Sequence, residues 1–228
     1  MMLKVVSKET LEESTTIELV LRKPTYSQLI DQDLAPGAGA VLKLGEVSRP
    51  YSLSSSEANE NLHFLIREVE GGEFNQELAE AVPGDYVELE EFFRYFNIEN
   101  HPEAYYFATG TGIAPFLNAL TDPKYPILPK GIFFGAKTQA DLVPKKLLEL
   151  YANPLVKSGG LKYYVSREEA TIRSGKYVTE AITPDIISPT AKYYLCGLTD
   201  MITEVSSKLV ALGVSYDQIA VELFYSKF

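Results

Sequence analysis

The 228-residue chain predicts a two-domain protein: an N-terminal antiparallel β-barrel over residues 1–99, then an α/β domain with a doubly wound parallel sheet over residues 100–228. Three observations predict it. Short runs that alternate apolar and polar residues, separated by turn signals, fill the first hundred positions. After residue 100, apolar strand-like runs alternate with helical stretches instead. The charge changes at the same place. Residues 1–100 hold 8 Lys+Arg against 19 Asp+Glu, a balance of −11, whereas residues 101–228 hold 13 against 12.

In the first half the strands are read at Thr15–Leu21, Ala38–Leu44, Leu62–Val69 and Tyr86–Leu89, with turns at Pro36-Gly37, Gly71-Gly72 and Pro83-Gly84-Asp85. Strands at such regular spacing suggest a small barrel. One helix, Phe74–Ala81, interrupts them just after the glycine pair. In the second half, strands at Tyr105–Ala108, Gly131–Phe134, Lys162–Val165 and Tyr193–Leu195 alternate with helices at Ala114–Leu120, Pro144–Tyr151, Val178–Ile182 and Asp200–Leu212. The polar, proline-containing stretch Asn97–Pro102 marks the boundary.

Composition narrows the class of function. Apolar content of 46% with 15 Tyr and 11 Phe belongs to a well-packed globular protein. No apolar run reaches membrane-spanning length, and MMLKVVSKET lacks the apolar core of a signal peptide, so a cytoplasmic location without membrane insertion is expected. The single cysteine, Cys196, allows neither an internal disulfide nor an iron–sulfur cluster built from this chain alone. A net charge of −10 argues against nucleic acid as the main partner. The acidic first half also reads simply as a solvated surface that serves solubility.

Two stretches carry chemistry. Tyr105–Leu120 runs from a short apolar strand through Thr109-Gly110-Thr111-Gly112 into a helix, with Pro115 in a first turn where a missing N–H costs nothing. Strand, glycine turn and helix start together make a cradle for phosphate, because glycines admit the ligand to unpaired backbone N–H groups. The same pattern is found in plain strand-to-helix turns. In the first half, Arg49 and Tyr51 stand two residues apart on an extended segment and share a face. A guanidinium binds phosphate bidentately, a phenol ring offers a flat stacking surface, and Ser52 can hydrogen-bond a heteroaromatic edge.

Arg49-Pro50-Tyr51-Ser52, then Gly72-Glu73-Phe74-Asn75, then Thr109–Phe116 and the Tyr193–Gly197 segment follow one another in the order of a known family. The chain resembles the ferredoxin–NADP reductase family, in particular its bacterial ferredoxin/flavodoxin reductase branch. The resemblance implies FAD and NADP(H) as cofactors. It makes Arg49 the ligand of the flavin dinucleotide's phosphate, Tyr51 the ring stacked on the isoalloxazine, and Ser52 the neighbour of its N5 edge. It also gives the Phe64-Leu65-Ile66 backbone to the flavin and the Gly72-Glu73-Phe74-Asn75 N–H groups to the pyrophosphate. The family has Ser or Thr where this chain has Asn75, itself a good N-cap.

In the second domain the resemblance gives Thr109, Gly110, Thr111, Gly112, Ile113 and Pro115 to the pyrophosphate of the nicotinamide dinucleotide. Lys137 falls beside the ribose, where many relatives carry Arg. Ser166 and Arg167 match the pair that grips the 2′-phosphate, with Arg173 or Lys176 as a second cation. Cys196-Gly197 matches the pair beside the nicotinamide; read from the residues alone, a lone cysteine such as Cys196 is more often a buried core thiol. Glu222 and Phe224 match the terminal acidic–aromatic signature whose ring covers the flavin, although Tyr225 and Phe228 offer alternatives. Glu90–Phe96 departs from the family's glycine-rich GPxGxF. The implied activity is hydride transfer between nicotinamide and flavin N5 at a cleft between domains, with a ferredoxin or flavodoxin as electron carrier. The reductase component of an oxygenase, a flavin or quinone reductase, and a non-catalytic flavin-binding subunit are the alternatives.

Overall fold

A computed structural model describes residues 1–11, 14–142, 148–149, 151–169 and 173–224. The chain divides into two compact units. One comprises Met1–Asn97 with Ala114–Pro123, the other Ile98–Ile113 with Lys124–Phe228.

The first unit is built on six strands: β1 (Met2–Thr10), β2 (Thr16–Arg22), β3 (Gly39–Leu44), β4 (Val47–Ser52), β5 (Asn61–Arg67) and β6 (Tyr86–Phe93). All pairings are antiparallel, in the order β4-β3-β6-β1-β2-β5. The two ends of that order meet just past β4. Leu53 bridges Phe64, its N–H donates to Ala38 O at 2.9 Å, and the Ser54 N–H donates to His63 O at 2.9 Å. The sheet therefore closes on itself, as the barrel reading expects.

Alternation explains the interior. Leu3 and Val5 of β1, Ile17, Leu19 and Leu21 of β2, and Leu62, Phe64 and Ile66 of β5 all point into one core. Each such side chain removed from water stabilises the fold by about 1.5–3 kcal/mol. Strand β1 escapes the sequence reading, which weighed MMLKVVSKET only as a leader; Leu3 and Val5 show the two-residue period all the same. Helix α1 (Tyr26–Leu29) and helix α2 (Glu73–Glu80) lie between strands. Phe74 and Leu78 fix α2 to the core, and Lys8 of β1 donates to the carbonyls of Leu78 and Ala79 at its C-terminal end, where a cation suits the helix dipole. Helix α3 (Ala114–Thr121) completes the unit, with Phe116 packed edge-on to Phe96 at 5.9 Å.

The second unit holds a parallel sheet in the order β10-β9-β8-β7-β11-β12. Its strands are β7 (Ala104–Thr109), β8 (Gly131–Ala136), β9 (Leu161–Val165), β10 (Arg173–Gly175), β11 (Lys192–Leu198) and β12 (Ile219–Phe224). From β7 the chain first travels outward through β8, β9 and β10, then returns to the other side of β7 for β11 and β12. The C-terminal ends of β7 and β11 thus form the switch point, where doubly wound sheets take their ligands. Tyr105 stacks between Tyr193 (5.7 Å) and Phe133 (6.3 Å) across β11, β7 and β8. Helix α4 (Asn153–Ser158) precedes β9 and ends at left-handed Gly159. Helix α5 (Thr199–Ala211) buries Ile202, Val205 and Leu209, one face at helical spacing.

The reading of Val178–Ile182 as a helix reduces to a single 3₁₀ turn, Val178–Ala181. Pro184 is the cause, since it forces Thr183 into extended backbone (φ −128°, ψ 161°). The helix read at Pro144–Tyr151 lies largely outside the described residues. Strand β12 is a further element that the sequence reading lacks; it contains Val221-Glu222-Leu223-Phe224, the stretch that carries the terminal acidic–aromatic signature. No helix among the described residues is long and apolar enough to cross a membrane.

At the opposite end of the parallel sheet from the switch point, Glu103 accepts hydrogen bonds from Lys130, Thr190 and Ser188. These donors, Lys130 foremost, hold its carboxyl down at about 2 from an ordinary 4.5. A depressed carboxylate adds stability that is fully present above pH 4.5 and is lost as the pH falls towards 2. Glu103→Gln is therefore expected to lower the melting temperature at neutral pH. Melting curves between pH 6 and 2 should show that difference shrinking towards zero at the acid end.

Candidate functional site

Each unit carries a group of sequence-singled residues. In the barrel, β4 pairs with β3 so that Tyr51 stands opposite Ala40 and Ser52 opposite Gly39. Tyr51 rests one side on Phe74, with ring centroids 5.1 Å apart and planes inclined at 52°. Burial pushes its phenol well above the ordinary range, against the opposing pull of the Arg49 charge. Ser52 is buried. Arg49 remains half exposed; its Nη1 donates to Ser48 O at 2.8 Å and its Nη2 lies 3.7 Å from Glu73 Oε2.

Glu73 is the first residue of α2, and Gly72 is the N-cap, so no side chain caps the helix start. The N–H groups of the first turn remain as donors for an anion. A side chain at 72 would collide with Asn75 Oδ1 at 2.9 Å. Asn75 is not the N-cap. It stands two residues inside the helix and reaches back, accepting from the Val69 N–H (3.2 Å) and donating to Arg67 O (3.3 Å). It therefore shapes the turn, and the free donors at the helix start are backbone groups. Phe64, Leu65, Ile66 and Phe74 have buried side chains, which leaves backbone as what they can offer a ligand. The Glu90–Phe96 segment, which lacks the family's glycines, is tied down by Arg94, whose guanidinium holds Asp33, Pro36 O and Asn97.

In the parallel-sheet unit the switch point is unusually tight. Gly110 takes φ +55°, and the 3₁₀ turn Gly110–Ile113 leads directly into α3. Added side-chain carbon at Gly112 would sit 2.4 Å from Cys196 O, and at Gly197 (φ +137°) 2.2 Å from Thr109 Oγ1. Thr109 Oγ1 in turn accepts the Leu198 N–H at 3.0 Å. The turn after β7 and the C-terminal end of β11 thus lie backbone to backbone, and only glycines permit it. Such a bare, N–H-rich turn at a switch point fits the pyrophosphate of a dinucleotide.

Beside it, Cys196 stands opposite Ala108 and Glu222 and is fully buried; its Sγ donates to Glu222 Oε2 at 3.3 Å. Burial first, and the Glu222 charge second, push the thiol well above its usual range, so it stays neutral. Phe224 ends β12; its side chain, like Tyr225 and Phe228, lies outside the described residues.

The loops after β8 and β9 are laced together. The Arg167 N–H donates to Lys137 O at 2.9 Å, the Ser166 N–H and hydroxyl both donate to Ala136 O, and Glu168 accepts the Gln139 N–H. Lys137, Ser166 and Arg167 are thereby adjacent in backbone, with Arg167 exposed. Lys176 lies over the Tyr177 ring at 5.3 Å. Arg173 opens β10 beside Tyr163 of β9, and its side chain lies outside the described residues. Sequence reasoning missed Glu168 as the clamp between these loops and Glu73 as the partner of Arg49, because neither link leaves a spacing signal.

Comparison with known proteins follows the same division. Residues 2–91 match the oxidoreductase FAD-binding domain, and residues 107–207 match the oxidoreductase NAD-binding domain. The ferredoxin–NAD(P)(+) reductase component of the naphthalene 1,2-dioxygenase system of Pseudomonas putida is 27% identical over 206 residues, covering 85% of this chain and 61% of that protein. Ferredoxin–NADP reductase A of Sorangium cellulosum is 26% identical over 196 residues, covering 77% and 70%. A ferredoxin NADP+ reductase from Neisseria gonorrhoeae, solved with bound FAD and NADP, superposes with a TM-score of 0.77 at 17% identity, covering 98% of each chain. The chain spans a little over three fifths of the length of the dioxygenase reductase relatives. With matches to the oxidoreductase FAD-binding domain on the barrel and to the oxidoreductase NAD-binding domain on the parallel sheet, the chain carries the two domains of the FAD- and NAD-binding oxidoreductases and is similar to ferredoxin–NADP reductases among them.

Proposed function

We propose that the protein is a flavin-dependent reductase that passes electrons between NADP(H) and a one-electron carrier, a ferredoxin or flavodoxin. The observation that carries this reading is the glycine turn Gly110–Ile113 at the switch point, packed backbone to backbone against Cys196-Gly197 and open at Gly110, where a side-chain carbon would meet nothing within 4 Å. When bound, FAD accepts a hydride from nicotinamide and releases electrons singly, chemistry that belongs to the cofactor.

The chain's own residues bind and orient. Arg49 and the α2 N-terminus hold the flavin's phosphates, Tyr51 backs its ring, and Ser52 offers a hydrogen bond at its edge. Gly112 and Gly197 let the turn close on β11, the open Gly110 admits the nicotinamide dinucleotide, and the neutral Cys196 gives a small, polarisable neighbour to the reacting carbon. Glu222 accepts the hydrogen bond from Sγ, and its charge disfavours the thiolate, so the proton stays on sulfur. Arg167, Ser166 and Lys137 receive the 2′-phosphate, with Arg173 or Lys176 adding a second cation. Ser166 would turn its hydroxyl from Ala136 O to donate to that phosphate. Phe224 is the proposed ring over the other flavin face. Residues 1–99 and 100–228 form the two functional domains in this reading, in a cytoplasmic protein.

The second reading is a reductase component of an oxygenase. It is supported by the similarity to the reductase component of the naphthalene 1,2-dioxygenase system. An acceptor panel separates the readings. With NADPH in excess, rates should be compared for a ferredoxin, a flavodoxin, a Rieske-type oxygenase, free FMN and a quinone. Faster turnover with the ferredoxin or flavodoxin, by tenfold or more in kcat/KM, is expected. Preference for the free flavin or quinone would overturn the protein-carrier reading.

A further inference from the structure

The barrel's phosphate-facing groups share an uninvited guest. Arg49 Nη1 is occupied by Ser48 O, and Nη2 faces Glu73 Oε2 at 3.7 Å. Glu73 is also the first residue of α2, a helix start that no side chain caps. The guanidinium that would face a phosphate therefore already has a negative side chain beside it, carried by the first turn of that helix. Its neighbours on the helix do not share the position. Glu77 is turned towards Gly45, Phe74 is buried, and Asn75 is committed to the backbone of residues 67 and 69.

We propose that Glu73 is a resident counter-ion of Arg49 that competes with the flavin's phosphate and so weakens and tunes flavin retention by this chain. The proposal rests on the flavin reading of Arg49. The physical basis is exchange between two anions. The Arg49 and Glu73 side chains are 40% and 72% exposed, and an ion pair so open to water is weak and easily parted. A phosphate accepts two guanidinium N–H groups in parallel and takes helix N–H groups as well, so it displaces the carboxylate. The displaced Glu73 remains beside the phosphate, and the repulsion between like charges lowers the affinity. The consequence is a flavin that loads and leaves more readily than it would with a neutral residue at 73.

The test is equilibrium binding of FAD, FMN and riboflavin to the flavin-stripped full chain, followed by quenching of flavin fluorescence. The proteins are wild type, E73Q, R49Q and the double variant, each at about 20 mM and about 500 mM NaCl. Glu73→Gln is expected to tighten FAD and FMN by about three- to tenfold at low salt, with the gain fading at high salt as charges are screened. Riboflavin, which has no phosphate, should bind equally to both. The gain should be smaller when Arg49 is already Gln, because the competition for the guanidinium is gone and only the repulsion remains. Unchanged FAD and FMN affinity in E73Q, or an equal gain for riboflavin, would overturn the proposal. R49Q that binds FAD and FMN as tightly as wild type would instead overturn the assignment of Arg49 to the flavin. Should E73Q fail to fold, Glu73→Thr removes the same charge and keeps a residue suited to a helix start.

Discussion

Gly197→Ala is expected to abolish productive nicotinamide binding while leaving flavin in place. The added methyl would lie 2.2 Å from Thr109 Oγ1 and 2.8 Å from Thr109 O, at a backbone angle (φ +137°) that non-glycine residues rarely adopt. Rotation of the Thr109 side chain relieves the first clash; the second is with backbone and requires the C-terminal end of β11 to move away from β7. The Leu198 N–H would then lose Thr109 Oγ1. Strain of this kind costs about 1–3 kcal/mol, and displacement of a positioned turn removes the surface the dinucleotide requires. The KM for NADPH should rise by about tenfold or more, with the melting temperature down by several degrees. The ratio of flavin to protein absorbance should be unchanged, because Arg49, Tyr51 and α2 belong to the other unit. Normal NADPH kinetics in Gly197→Ala would show that the nucleotide lies elsewhere.

Arg167→Ala carries the second large effect, and it is selective. Arg167 follows β9 directly, is exposed, and is held in backbone against Lys137. A guanidinium that meets the 2′-phosphate makes charge-assisted hydrogen bonds worth about 1.5–3 kcal/mol, which is roughly 10- to 150-fold in affinity. NADH has no such phosphate. The KM for NADPH should therefore rise by one to two orders of magnitude while that for NADH moves by no more than about threefold. Equal effects on the two nucleotides would remove the 2′-phosphate from Arg167 and point to a general loss of loop structure. Because Glu168 ties the same loop to the Gln139 N–H, the loop should otherwise hold its shape in the variant.

Much of this fold is legible in the residues, and the reason is periodicity. The change from alternating strands to alternating strand and helix sets the barrel and the parallel sheet apart, and Thr109–Ile113 announces its turn through glycine. What escapes is non-local. Gly197 needs to be glycine because of Thr109, a residue far away in the chain, and no window of sequence contains both. The same holds for Arg94, which reads as a surface cation until Asp33 and Asn97 are brought to it. Asn75 reads as a helix cap, yet the cap is Gly72 and Asn75 supports the preceding turn. Strand β12 hid for a different reason. It is the outermost strand of its sheet, so Val221 and Leu223 are exposed and its pattern is that of neither a buried run nor an amphipathic helix. For the candidate site, residue types and their order were readable; the close approaches that make them a site were not.

The most direct test of the reductase reading is an anaerobic absorbance titration of the purified protein, first with NADPH and then with NADH. The account predicts a bound flavin whose visible absorbance bleaches at far lower NADPH than NADH, which joins the barrel's flavin to the cationic loop of Arg167 in one reaction. A bound flavin that neither nucleotide reduces would contradict it and leave a flavin-binding subunit without nicotinamide turnover.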